Sequence, residues 1–187
     1  VMALRRKKNS TFVVGMDIVR RKEAQAFVSA GSTGALMAGG LFILGRIQGI
    51  DRPAIASIYP ILGRSYPSII VDAGANAECK PNNLLEFGVM GSIYMEKVMG
   101  IKNPRVGLVN IGAEESKGST LTKAAYDLIS KSRVNFVGNV EAREVPAGAC
   151  DVIICDGFVG NVILKLTEGL AWNILKLLKN KFTDGGV

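Results

Sequence analysis

Apolar residues along this chain fall into two kinds of segment. Short runs at 26–29, 54–59, 68–72, 105–110, 134–137 and 152–155 are dense in Val, Ile, Ala and Tyr and predict strands. Longer stretches of mixed polarity at 15–23, 33–47, 83–98, 120–132 and 161–181 repeat their apolar positions at helical spacing and predict helices. Strand alternating with helix implies an α/β domain whose sheet is mostly parallel, Rossmann-like, and flanked by helices. The runs 54–59 and 68–72 have no helix between them. They predict an antiparallel hairpin joined through "PILGRSYP". No internal repeat or low-complexity linker interrupts the pattern, so residues 1–187 read as a single domain.

In a parallel α/β sheet, ligands collect beyond the carboxyl ends of the strands. The segments that follow the predicted strands are "SAGSTG", "DAGANAECKP", "NIGAEESKGS", "GNVEAR" and "CDGFVGN". All are rich in Gly, Asn, acidic groups or Lys, and together they predict one polar rim. In the first, Ser32, Thr33 and Gly34 open a helix. Free N–H groups at such a start can cradle an anion, and an N-capped turn without a ligand is the other reading. Gly39, Gly40 and Gly45 lie within the same predicted helix, where close packing is the better account of them.

Composition narrows the chemistry. The chain has 187 residues, no histidine, and a net charge of +7. The absence of histidine removes His triads, His-ligated metals and His general bases. Three cysteines, Cys79, Cys150 and Cys155, show no zinc-type spacing, and an odd count suits a reducing compartment. Aromatics make up 6%, too few for a single-strand stacking platform, so nucleic acid is not an expected partner. A basic run, Arg5-Arg6-Lys7-Lys8, stands near the start. No apolar run reaches transmembrane length.

The ordered motifs "SAGSTGALMAGG", "GIDRPA", "DAGANAECKP", "GIKNPRVGLVNIGAEESKG", "GNVEAR" and "CDGFVGNVILK" resemble the bacterial phosphate acyltransferases of phospholipid synthesis. The resemblance runs from Val1 to about Lys181. It implies a fold similar to phosphotransacetylases and isocitrate/isopropylmalate dehydrogenases. It also implies transfer of a fatty acyl group from acyl carrier protein to inorganic phosphate, giving acyl phosphate for a membrane glycerol-phosphate acyltransferase. The expected setting is cytoplasmic, as a homodimer in peripheral contact with the inner face of the membrane. Such proteins usually begin with a further Gly-Gly-Asp-Asn-Ala-Pro-type segment and continue to a Gly-Gly-Ala-Pro-type segment. This chain ends in "FTDGGV", so it reads as the middle part of a longer protein.

Phosphate is already an anion, so its attack on a thioester needs positioning and oxyanion stabilisation rather than a deprotonated side chain. Lys117, in "EESKGS", and Asn161, in "DGFVGN", are the expected catalytic pair. Lys117 would hold phosphate or the oxyanion, and Asn161 would donate to a carbonyl oxygen, cap the last helix, or both. Asp72, Asn76 and Lys80 form a second polar cluster, with Lys80 extended because Pro81 follows it. Glu114 and Glu115 are expected to orient Lys117, since two carboxylates alone do not make a metal site. Asn110, Asn139, Glu141 and Asp156, at strand ends, complete the expected substrate-binding set. No metal and no cofactor are expected. Arg46, Arg52, Lys102 and Arg105 are candidate contacts for an acidic carrier.

The segment 161–182 carries a continuous apolar stripe of Ile163, Leu166, Leu170, Ile174 and Leu177, widened by Leu164, Ala171, Leu175 and Leu178. It reads as a dimer or core helix, or, with Trp172 and its flanking lysines, as a membrane-surface segment. Three other functions compete. An NAD-linked hydroxyacid dehydrogenase would need a GxGxxG signature, which is absent. A phosphotransacetylase would use a coenzyme A thioester. A non-catalytic scaffold would bind membranes without turnover.

Overall fold

A computed structural model of the chain describes residues 7–184. Arg5 and Arg6 of the basic run, and the final "GGV", lie outside the described residues. The described residues form five helices and five strands: α1 (Thr11–Arg20), α2 (Thr33–Gly39), β1 (Ala56–Tyr59), β2 (Ser68–Val71), α3 (Pro81–Lys97), β3 (Arg105–Asn110), α4 (Thr120–Ser130), β4 (Asn135–Glu141), β5 (Val152–Ile154) and α5 (Gly157–Asp184). A π turn, Gly40–Leu44, extends α2, and a 3-10 turn, Ala142–Glu144, follows β4. The strand order is β1-β2-β5-β3-β4. Strand β1 is antiparallel to β2, with Ala56 opposite Val71, and every other pairing is parallel.

Side chains alternate across the pleat, so each central strand feeds two cores. Ile69, Val71, Val106, Leu108, Val152 and Ile154 face α3 and α4 and pack on Leu84, Phe87 and Ile129. Ile70, Val109, Ile153 and Cys155 face the opposite side and meet Tyr59, Val145 and the first turns of α5. Helix α3 lies close on the sheet because Gly91 leaves space for Val152, which any larger residue would strike.

Three sequence expectations change. Residues 26–29 form no strand: they have no partner among the described residues, and Val28 is 92% exposed. A β run shows a conformational preference, but a strand needs an edge to pair with. Strand β4 runs beyond 137 to Glu141: a bulge opposite Val106/Gly107 leaves Val137 unpaired, and Gly138, with φ +94°, resumes the pairing at Gly107. The continuation brings Asn139 into the sheet. Helix α5 begins at Gly157, one turn before 161.

At the amino ends of the strands, Asp151 ties the sheet together. Its carboxylate meets Arg64 at 3.0 Å and Arg105 at 3.1 Å, and it accepts the Arg105 N–H at 2.8 Å. Burial pushes this carboxyl upward, but the hydrogen bonds and charge of Arg105, joined by Arg64, outweigh it and hold the group below its ordinary value. A depressed native pKa stabilises the fold above the unfolded value of about 3.9. That contribution disappears as pH falls through the native value. Asp151→Asn should cost about 3 kcal/mol, near the low end for a broken buried pair because Arg105 is partly in water. Urea unfolding at neutral pH checks this, and the gap between wild type and variant should close on acidification.

Candidate functional site

Because β2, β5, β3 and β4 are parallel, the loops after them share one edge of the sheet. The first is organised by Asp72. It is fully buried, and Oδ1 accepts N–H bonds from Ile55, Gly74 and Ala75 at 2.9–3.1 Å. Oδ2 accepts from the Asn76 backbone and side chain at 2.7 and 2.8 Å. Asn76 in turn donates to the Pro53 carbonyl, and its own carbonyl accepts the Gly157 N–H at 2.8 Å. Asp72 thus shapes the loop, and its oxygens are engaged there.

Helix α5 starts against that loop. Asp156 accepts the Val159 N–H at 2.8 Å, the bond of an N-cap side chain. Gly160 must lack a side chain, because a Cβ would collide with the Asp72 carbonyl. Asn161 therefore sits in the second turn, exposed and without capping duty. The position of a Cβ at Gly74 lies 3.6 Å from its side chain, so Asn161 stands beside the Asp72 loop.

The Lys117 loop is clamped by strand-end amides. Asn110 Nδ2 donates to the Lys117 carbonyl and to Asn139 Oδ1, both at 3.1 Å. Asn139 Nδ2 donates to the Glu114 carbonyl at 2.9 Å, and the Lys117 N–H closes the turn onto that same carbonyl. Gly118 holds φ +98° where a Cβ would strike the Asn110 amide. Lys117 is exposed, and among the described residues its ammonium makes no ion pair. Glu115 accepts the Tyr126 hydroxyl at 2.9 Å. The loop is therefore held by Asn110 and Asn139. Glu141 pairs with Arg143 at 3.0 Å.

Lys80 is extended, as Pro81 requires, and its N–H donates to Asn83 Oδ1 at 2.9 Å. With Asn76, Arg46 and Arg52 it lines a cavity of about 680 Å³ beneath α2. Sequence reasoning missed this cavity. Arg46 and Arg52 flank Asp51, whose N–H the buried Glu86 of α3 accepts at 2.8 Å. Lys102 precedes β3 and Arg105 opens it, so both stand at the opposite edge of the sheet from these loops. Ser32, Thr33 and Gly34 are exposed at the start of α2. The Ser32 side chain makes no cap bond, while its carbonyl accepts the Ala35 and Leu36 N–H groups. The structure thus groups Asn110, Glu114, Lys117 and Asn139 in one clamp, and Asp72, Asn76, Asp156 and Asn161 in another.

Cys79 hangs under the second clamp, 3.5 Å from the Asn76 carbonyl. Burial, reinforced by Asp156 and Asp72, pushes its thiol up to about 11, so it stays protonated and is a poor nucleophile. The chemistry on offer at this edge is a set of amides and ammonium groups facing solvent, suited to holding anions.

The architecture is that of the phosphotransacetylase-like α/β proteins. A phosphotransacetylase from Streptococcus pyogenes matches it with a TM-score of 0.66 at 18% identity, covering 85% of this chain and 54% of that one. The EutD phosphotransacetylase from Staphylococcus aureus matches with 0.60 at 19%, covering 91% and 62%. At these identities the likeness concerns the fold. Residues 1–186 match the family described as fatty acid synthesis protein, and the chain belongs to that family. It is 63% identical over 97% of its length to a phosphate acyltransferase of Alkaliphilus oremlandii, and 57% identical over 96% to one of Clostridium tetani. It spans about half of each relative, 54% and 53%.

The roles of Asp156, just before α5, and Asn161, within it, are separable. Asp156→Ala should remove the cap and cost about 1 kcal/mol, a fall of roughly 2–4 °C in Tm. Asn161→Ala should leave Tm unchanged. Thermal melts of the two variants side by side test the assignment, and a large loss at Asn161 would contradict it.

Proposed function

We propose that this chain is the central part of an enzyme that moves a fatty acyl group from acyl carrier protein to inorganic phosphate. The acyl phosphate would serve a membrane glycerol-phosphate acyltransferase in phospholipid synthesis. The observation that carries the reading is the clamped, uncompensated Lys117 on the same sheet edge as Asn161, in a chain more than 60% identical to a phosphate acyltransferase.

In this reading a phosphate oxygen attacks the thioester carbonyl carbon. The new C–O bond gives a tetrahedral oxyanion, the C–S bond then breaks, and the proton of monohydrogen phosphate ends on the departing thiol. Lys117 and the Asn161 amide stabilise the developing negative charge, and their fixed supports make that help cost little reorganisation. Asn76 and Lys80 join the phosphate-binding side. The amides that open α2 at Ser32, Thr33 and Gly34 supply further anion donors. Arg46 and Arg52 offer the acidic carrier a basic approach. Asp72, Asn110, Glu114, Glu115, Asn139, Glu141 and Asp156 shape the rim.

Removing one such donor costs roughly two to three decades in rate. Lys117→Ala should lower turnover by about that much without shifting Tm, since the side chain is exposed. The assay is phosphate-dependent loss of acyl-carrier thioester, with the Alkaliphilus relative as positive control. Near-normal turnover would move the role to Lys80. Because the fold neighbours are phosphotransacetylases, acetyl-coenzyme A is run in parallel, and turnover of that thioester alone would favour the coenzyme A reading.

Helix α5 supports the homodimer. Only its beginning packs on the sheet, through Val159, Ile163 and Leu164, with Thr167 Oγ1 3.0 Å from the Tyr59 hydroxyl. Beyond that, Leu166, Leu170, Trp172, Ile174 and Leu177 are exposed on a 28-residue helix, about 42 Å long. A continuous apolar face of this length calls for a partner. No helix among the described residues is long and apolar enough to cross a membrane, so a lipid contact would be peripheral. Leu170→Glu should give a folded monomer by light scattering if the face is a dimer seam. Loss of liposome binding with the dimer intact would assign that face to the inner membrane surface, and no change in either would remove both roles.

A further inference from the structure

We propose that Phe42 is a partition that sets the length of acyl chain the protein accepts, an inference that rests on the acyl-transfer reading above. Phe42 lies in the π turn after α2, whose extra residue is marked by the Gly45 N–H reaching back to the Gly40 carbonyl at 3.0 Å. Such turns re-aim side chains and recur at functional sites. Phe42 lines two cavities at once. On one side is the 680 Å³ cavity walled by Met37, Ala38 and Leu41. On the other is a cavity of about 570 Å³ walled by Val13, Val14 and Ile43.

The charges say which end of a ligand enters where. The first cavity holds Arg46, Arg52 and Lys80 against Asp51. Arg46 is paired with Asp51 at 3.2 Å, which leaves Arg52 and Lys80 without an anionic partner among the described residues. Two such cations suit a phosphate dianion. Next to them the wall is apolar, and its Phe42 is shared with the second cavity. There Val13, Val14 and Ile43 supply the apolar lining, while Lys8, Arg20 and Arg21 stand against Asp17, with Arg21 also paired to Glu23. A phosphate head followed by a hydrocarbon tail matches this order: cations, apolar wall, aromatic partition, second apolar space. With the ring in place, the tail stops at Phe42. With the ring removed, it can extend toward Val13 and Val14. Phe42 is 62% exposed, so truncating it removes little buried area and should leave the fold intact.

Alkyl phosphates from ten to eighteen carbons, kept below their aggregation concentrations, are stable probes for titration calorimetry on the protein and its variants. Each further methylene buried is worth about fourfold in affinity. Phe42→Ala should raise the preference for hexadecyl over decyl phosphate by at least about fivefold. Phe42→Trp should lower it, and Arg52→Gln should weaken all chain lengths alike. If both Phe42 variants bind the whole series with the parent's profile, the partition is wrong. Phosphate-dependent thioester loss, measured on the parent, judges the acyl-transfer reading separately. Its absence would remove that reading, while the binding series would still decide whether Phe42 limits the tail.

Discussion

A single buried carboxylate holds the functional edge of this protein in shape. Asp72 leaves β2, between the edge strand β1 and the central β5, and its two oxygens collect five N–H bonds from the β1 approach and from its own loop. An unsolvated carboxylate is costly unless its lone pairs are filled, so satisfying them fixes the path of residues 74–76. That path in turn receives α5: the Asn76 carbonyl takes the Gly157 N–H, and Gly160 rests on the Asp72 backbone. The hairpin, the loop and the last helix are thus joined at one residue.

The clamp around Lys117 works by the same logic without charge. Asn110 at the end of β3 and Asn139 near the end of β4 spend their amides on carbonyls of the Lys117 loop and on each other. Amides can donate and accept together, so a buried pair can satisfy each other and still tether a loop. Rigid supports under exposed donors suit a reaction whose nucleophile arrives already charged. The cost of organising the donors is met in folding rather than at the moment of reaction. At the other edge of the sheet, Asp151 with Arg64 and Arg105 performs a purely structural task. Basic residues of one chain therefore divide by strand polarity into site and scaffold.

The α1–α2 arm contrasts with this body. Gly39 packs against Met16 and Phe12, so the two helices hold each other, while the 26–29 segment between them has no strand partner among the described residues. Met37, Ala38 and Leu41 of the arm share the cation-lined cavity with Arg52, Asn76 and Lys80 of the body. An apolar arm covering a basic cavity is the kind of boundary at which an amphiphilic ligand can be held along its whole length.

Much of the fold was legible in the sequence because burial on both faces of a parallel sheet writes short apolar runs, and helices between them write a different period. The strands at 68–72, 105–110 and 152–155, the hairpin and all five helices follow from that pattern. The rim was legible too, since loops after parallel strands must share an edge. Pattern alone did not determine pairing: 26–29 has a strand's composition and no partner, and Gly138 hid the continuation of β4 past a bulge. Nor could it say which polar residues face substrate and which face each other. Asp72, Asn110 and Asn139 read as site residues in one dimension, and only the three-dimensional fold turned their side chains onto backbone. Asn161 moved the other way, from cap to exposed amide, once Asp156 took the helix start. The chain's order sets which groups are present at the rim, while the hydrogen-bond demands of buried polar atoms, met only across distant segments, decide which of those groups remain free.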